Sequence, residues 1–195
     1  MKLILAAVLL SLSSSAFAAP ELGKPAPDFT LNDQSGKPVK LSAAKGKYVV
    51  LEWYNKDCPF VHKHYDSGNM QSLQKKYGKK GVVWYSIVTS KEGKEGHLTA
   101  AQAAKQLKKM SSKGILLDEK GEVGRAYEAK TTPHMFVVNP EGNLIYMGGI
   151  DDKASTDAED IKTSKNYVAA ALDEAMADKP VSTPSSRPYG CSVKY

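Results

Sequence analysis

The sequence predicts an α/β fold: a single domain on a central mixed β-sheet flanked by helices, opened by a β-hairpin and followed by an irregular C-terminal tail. Three observations predict it. Short apolar, β-branched runs alternate with helix-like segments from Lys47 to Ala177, the pattern of a sheet covered on both faces. Those runs, such as Gly81 to Thr89, are too short and too rich in Val, Ile and aromatic residues to be buried helices. Asn139-Pro140-Glu141-Gly142 stands between two alternating segments. That turn chemistry makes them an antiparallel hairpin, so the sheet is mixed rather than wholly parallel.

The elements follow in order. Pro25 to Leu31 and Pro38 to Leu41 flank a turn around Gly36 and form the opening hairpin. Lys47 to Tyr54 is a central strand. Pro59 to Tyr77 is helical, with Asp66-Ser67-Gly68-Asn69 placed to interrupt or kink it. Gly81 to Thr89 is the second buried strand. Thr99 to Met110 is an Ala- and Lys-rich helix with Thr99 as N-cap. Ile115 to Leu117 is a short strand and Glu122 to Tyr127 a short helix. His134–Asn139 and Asn143–Met147 form the second hairpin, and Lys165 to Ala177 the final helix. After Lys179 the composition turns to Pro, Ser and Thr, which marks a flexible, irregular extension.

Residues 1–18 have the layout of a secretory signal: one charge at Lys2, an apolar run from Leu3 to Leu12, and Ala16-Phe17-Ala18 as a small-x-small cleavage site. The apolar run is too short to remain as a spanning anchor. The expected organisation is therefore a signal peptide at 1–18, one domain at 19–179 and an extension at 180–195. The destination is periplasmic or secreted, with no stable membrane association after signal removal. Export implies an oxidising compartment, which permits disulfides. The net charge of +6 is carried by scattered lysines without interleaved aromatic residues, so no nucleic-acid partner is expected. Asp151-Asp152 and Asp157, Glu159 and Asp160 read as loop and helix N-terminal charges rather than a calcium loop. Gly148-Gly149 lacks the context of a phosphate loop. No cofactor is expected.

There are two cysteines, too few for a disulfide-stapled scaffold. Cys58 lies between the Lys47–Tyr54 strand and the helix opened by Pro59, at the positive end of that helix. This setting favours thiolate, the reactive form, and Lys56 and His62 add positive charge nearby. A thiolate there can attack a disulfide sulfur or a peroxide oxygen. Cys191, in the Pro-rich extension, reads either as a thiol that resolves oxidised Cys58 or as one that statically pins the tail.

This arrangement resembles the thioredoxin fold. The strand–turn–Cys58–helix unit and Thr131-Thr132-Pro133 before a strand carry the resemblance. The opening Gly23-Lys24-Pro25-Ala26-Pro27-Asp28-Phe29-Thr30-Leu31 is similar to that of the redoxin (AhpC/TSA) group. Asp57 to Val61, Gly149 to Asp152 and Gly190 to Lys194 resemble a peroxiredoxin-like subgroup. The resemblance implies a cis Thr132–Pro133 bond opposite the reactive cysteine. It also implies a substrate held by Thr132, Pro133 and Pro59, either a peroxide or a protein or small-molecule disulfide, with an external thiol as reductant. The departures are specific. Val61 stands where a thioredoxin has its second cysteine, and Leu51 and Asn55 stand where a peroxiredoxin has its proline and Thr/Ser. The peroxide-binding arginine aligns with Pro133, with Arg125 upstream.

The function expected is an exported thiol-dependent oxidoreductase, antioxidant or disulfide-exchanging, with Cys58 and Cys191 as catalytic residues. One alternative is a copper- or zinc-binding or delivery protein. It would use Cys58, His62 one helical turn on, and His134 after the expected cis proline. The other is a non-catalytic thioredoxin-fold binding module. His64 and His97 attract no role.

Overall fold

A computed structural model describes residues 19–195; the expected signal at 1–18 lies outside the described residues. Seven strands form one sheet: β1 (Thr30–Asp33), β2 (Pro38–Lys40), β3 (Val49–Trp53), β4 (Val83–Val88), β5 (Gly114–Leu117), β7 (His134–Val138) and β8 (Leu144–Gly148). The two-residue strand β6 (Thr131–Thr132) pairs separately with β9 (Cys191–Ser192). The sheet order is β2-β1-β5-β4-β3-β7-β8. β3, β4 and β5 run parallel, while β7 is antiparallel to both β3 and β8. The predicted mixed sheet is therefore present, and both predicted hairpins close, β1 with β2 and β7 with β8.

β3 is buried at every position because both sheet faces are covered. Its alternate side chains point to opposite faces. Val49, Leu51 and Trp53 join Phe29, Tyr127, Phe136 and Val138 on one face. Val50 joins Met70, Tyr77, Trp84, Val137, Val168 and Leu172 on the other. Burial of each large side chain contributes about 1.5–3 kcal/mol.

The predicted 59–77 helix is two helices, α1 (Pro59–Asp66) and α2 (Asn69–Gly78). Gly68 separates them at φ 75°, a left-handed value that glycine adopts without a Cβ penalty. In α3 (Ala100–Leu107) Thr99 is the N-cap and shares a capping box with Gln102. α4 (Glu122–Ala126) covers the Tyr127 face. α5 (Tyr167–Ala175) starts two residues later than its composition suggests, because Asn166 caps it by accepting the Ala169 N–H at 2.8 Å. No helix of the described residues is long and apolar enough to cross a membrane.

The 180–195 segment is irregular as expected, but fastened rather than free. Ser182 donates to Glu174 from both its N–H and its hydroxyl. Met147 and the chain at Pro184–Ser186 exchange backbone bonds of 3.1 and 3.2 Å. The Val193 N–H donates to the Lys130 carbonyl at 3.1 Å, and the Lys194 carbonyl accepts from the Lys91 N–H at 3.2 Å. The Tyr195 hydroxyl donates to the Ala129 carbonyl at 2.8 Å. The segment is a strap laid across the end of the sheet where Cys58 sits.

Candidate functional site

Cys58 is held by the turn that ends β3. The Tyr54 N–H still bonds Ile87 of β4. The side-chain oxygen of Asn55 then accepts the Asp57 N–H at 2.8 Å, and its carbonyl accepts the Cys58 N–H at 3.2 Å. Gly96 packs against the Asn55 side chain so closely that a Cβ there would lie 2.4 Å from it. Cys58 is the N-cap of α1, in extended backbone conformation, with Pro59 next. Its thiol is fully buried and donates to the Thr132 carbonyl at 3.0 Å.

Thr132 precedes Pro133 across a cis peptide bond, as the resemblance implied. In the β6–β9 pair, Thr132 lies opposite Cys191 and Thr131 opposite Ser192. Cys191 is thereby brought to Cys58 and packs against the buried cluster to which Cys58 belongs. Both are free thiols. Burial, with the Cys58 thiol beside it as a smaller cause, pushes the Cys191 thiol up to about 12. Cys191 is therefore protonated at neutral pH. The approach of the strands is close: a Cβ on Gly190 would lie 2.0 Å from the Thr132 carbonyl oxygen, and its φ of 134° is a glycine conformation. Pro133 is buried and Pro59 exposed at the rim.

The other predicted residues fall elsewhere. Lys56 is paired with the Asp57 carboxylate at 2.6 Å, and this contact, the largest cause, holds Asp57 below the usual carboxylate range. His62 is on the exposed side of α1, 3.1 Å from Asp66. Neither side chain is left to serve the thiol. His134 is buried against Phe136, at 4.4 Å between ring centroids, and its Nδ1 accepts the Lys130 N–H at 3.3 Å. Burial pushes it down to about 3, so the ring is neutral at physiological pH. Cys58, His62 and His134 do not form one donor set. Among the described residues no three His, Cys, Asp or Glu side chains cluster so as to hold a metal.

Two buried polar groups escaped the sequence reading. Glu52 on β3 is fully buried and accepts from Trp84 Nε1 at 2.9 Å, from the Tyr65 hydroxyl at 2.9 Å and from Gln74 and Ser86 at 3.3 Å. Burial outweighs these donors and raises its carboxyl to about 7. The second group is Lys63, His64, Asp151 and Tyr189, the first three almost wholly buried. Asp151 is thus not the solvated loop charge its sequence suggested. Helical spacing was the available signal for His64: it follows Phe60 by four and Val61 by three, on the inward face, whereas His62 points out.

The AhpC/TSA family model matches residues 22–147, which include Cys58, Thr132 and Pro133. Thiol-disulfide oxidoreductase ResA of Bacillus thuringiensis is 28% identical over 125 residues, 64% of this chain and 68% of that one. Thioredoxin-like protein YneN of Bacillus subtilis is 30% identical over 133 residues, 67% of this chain and 74% of that one. The crystal structure of an uncharacterized conserved protein from Geobacillus kaustophilus matches with a TM-score of 0.75 at 26% identity, covering 93% of this chain and 94% of that one. With its mixed sheet, its cysteine at the head of α1 and the cis proline facing it, the chain belongs to the AhpC/TSA family and has the thioredoxin-like fold.

Proposed function

We propose that the chain is an exported thiol-disulfide oxidoreductase in which Cys58 attacks and Cys191 resolves. The observation that carries this reading is the juxtaposition of two free thiols, 133 positions apart in sequence: Cys58 bonds the Thr132 carbonyl, and Cys191 pairs across from Thr132 and packs on the Cys58 cluster. The kinship with ResA supports a disulfide as the oxidant. The loss of the peroxiredoxin proline and Thr/Ser to Leu51 and Asn55 weighs against efficient peroxide reduction.

The Cys58 sulfur attacks one sulfur of a substrate disulfide. A mixed disulfide forms, and the first substrate sulfur leaves as a thiolate and takes up the proton lost from Cys58. The Cys191 sulfur then attacks Cys58 Sγ, the mixed disulfide breaks, and the second substrate sulfur leaves with the Cys191 proton. Two electrons and two protons pass from the cysteine pair to the substrate, leaving a Cys58–Cys191 disulfide that an external dithiol reduces. The raised Cys191 pKa sets the order, since a thiol that stays protonated is a poor first nucleophile. The Thr132 carbonyl, Pro133 and Pro59 line the approach. The domain is 19–179, and the 180–195 extension supplies the second thiol. Residues 1–18 direct export to the periplasm or exterior.

The test is to mix reduced mature protein with limiting oxidised glutathione and map the products by peptide mass spectrometry. A Cys58–Cys191 link, together with a Cys58–glutathione adduct that accumulates in Cys191→Ser, is the expected result. Unmodified Cys58 under the same conditions overturns the reading and leaves a non-catalytic binding module.

A further inference from the structure

Tyr189 stands two residues before Cys191 and is gripped from two sides. Its hydroxyl donates to Asp151 Oδ1 at 2.5 Å and lies 3.2 Å from His64 Nε2. Its ring meets Phe60 edge-on at 5.9 Å, and Lys63 Nζ stands 5.7 Å from the ring centroid. Asp151 is itself held: the Lys153 N–H donates to Oδ1 at 3.0 Å. Its Oδ2 has no hydrogen-bond partner and is faced by Lys63 at 4.0 Å and His64 at 3.9 Å. Lys63 is anchored in turn on the Lys153 carbonyl at 2.8 Å, and His64 Nδ1 lies 2.9 Å from Asn69 Nδ2.

Phe60, Lys63 and His64 all belong to α1, the helix whose N-cap is Cys58. One rigid element therefore carries the attacking thiol at its head and grips the strap two residues before the resolving thiol. A charged and hydrogen-bonded network this deeply buried costs desolvation and is not needed to fill space, which an apolar residue would do. Its effect is to fix where Tyr189 sits, and through Gly190 where Cys191 sits.

We propose that Tyr189, held by Asp151 and His64, is the positioning residue that keeps the Cys191 strand over Cys58, setting both the effective concentration of the resolving thiol and the access of outside reagents to the attacking one. The disulfide half of this inference rests on the Cys58–Cys191 reading above; the access half does not. With Cys58 fully buried beneath the strap, a reagent reaches it only in the fraction of molecules whose strap has lifted, so its observed rate is scaled by that fraction. The ring-closing equilibrium depends on the same fraction, in the opposite direction.

The experiment compares Tyr189→Phe, which keeps the ring and removes its hydroxyl, with wild type and with Gly190→Ala. In the last the new methyl meets the Thr132 carbonyl and lifts the strand directly. The first readout is the alkylation rate of Cys58 by iodoacetamide in a Cys191→Ser background. The second is the equilibrium between the Cys58–Cys191 disulfide and a glutathione buffer. Loss of a charged hydrogen bond predicts about a tenfold faster alkylation and about a tenfold lower disulfide equilibrium constant for Tyr189→Phe. Gly190→Ala should move both the same way, at least as far. Alkylation within twofold of wild type in Tyr189→Phe, with Gly190→Ala fast, overturns the positioning role. So does equal, slow alkylation in both variants. Should Tyr189→Phe fail to fold, Asp151→Asn takes its place with the same thresholds. If wild type forms no Cys58–Cys191 disulfide at any glutathione ratio, the redox-pair reading fails, while the alkylation comparison still decides the clamp.

Discussion

Cys191 lies directly across the β6–β9 ladder from Thr132, and the carbonyl of that same Thr132 accepts the Cys58 thiol. One backbone unit thus serves both sulfurs. The strand that brings Cys191 occupies the edge along which, under the proposed function, an extended substrate would pair, so a cysteine-bearing segment of the chain itself covers that edge.

Removing each thiol separates their roles. Cys58→Ser should abolish disulfide reduction. Cys191→Ser should lower steady-state turnover by about a hundredfold or more while still forming one mixed disulfide per chain, because the first attack needs only Cys58. Turnover assays with trapped-adduct mass spectrometry check this. Full turnover by Cys191→Ser would remove Cys191 from the mechanism.

Cys191 should alkylate slowly and with an unusual pH profile. Its thiol is pushed up to about 12, so its rate should climb about tenfold per pH unit through the range in which an ordinary thiol, with a pKa of about 8.5, levels off. A plateau near that ordinary value, in a stopped pH series read by peptide mapping, contradicts the assignment.

Glu52 makes stability fall as pH rises. Burial raises its folded carboxyl to about 7 from the ordinary 4.5, so the folded state holds the proton more tightly. That contribution is complete below pH 4.5 and gone once pH has passed about 7, a loss of about 3 kcal/mol. Urea unfolding across that window, with Glu52→Gln subtracted, measures it. A difference that stays flat, or stability that rises with pH, refutes it.

Gly96→Ala should cost about 1–3 kcal/mol, because the methyl would lie 2.4 Å from Asn55 in a backbone at φ 81°. Since Asn55 holds the turn before Cys58, the variant should also change the alkylation rate of Cys58. Melting and alkylation measured together test whether this loop supports the site.

Much of the framework could be read from the residues. The apolar run of β3, the Asp66–Asn69 break, Thr99 as a cap, the 139–142 turn and Cys58 between a strand and a Pro-opened helix are local signals, and the cis proline came with the family resemblance. The strap was not legible in its course. β9 is two residues long and pairs with residues about sixty positions away, too short to have a period and too distant to have a turn. Asp151 looked solvated for the same reason: its burial depends on Lys63 and His64, far away in the chain. The metal set failed on direction, since one helical turn from the N-cap leads His62 outward to Asp66.

The antiparallel pairing of β3 with β7 has a consequence for what can vary. Trp53 is registered with His134, so Cys58 and Thr132 emerge side by side at one end of the same ladder. Slipping that register by two residues would carry Thr132 about 7 Å along the strand, far beyond the reach of a thiol hydrogen bond. The loops around Gly46 and Gly142 lie at the opposite end, where the Gly46 N–H donates to the Pro140 carbonyl at 2.9 Å. Insertions there should leave the reactive geometry unaltered, whereas a one-residue deletion inside β7 should erase it without touching a cysteine.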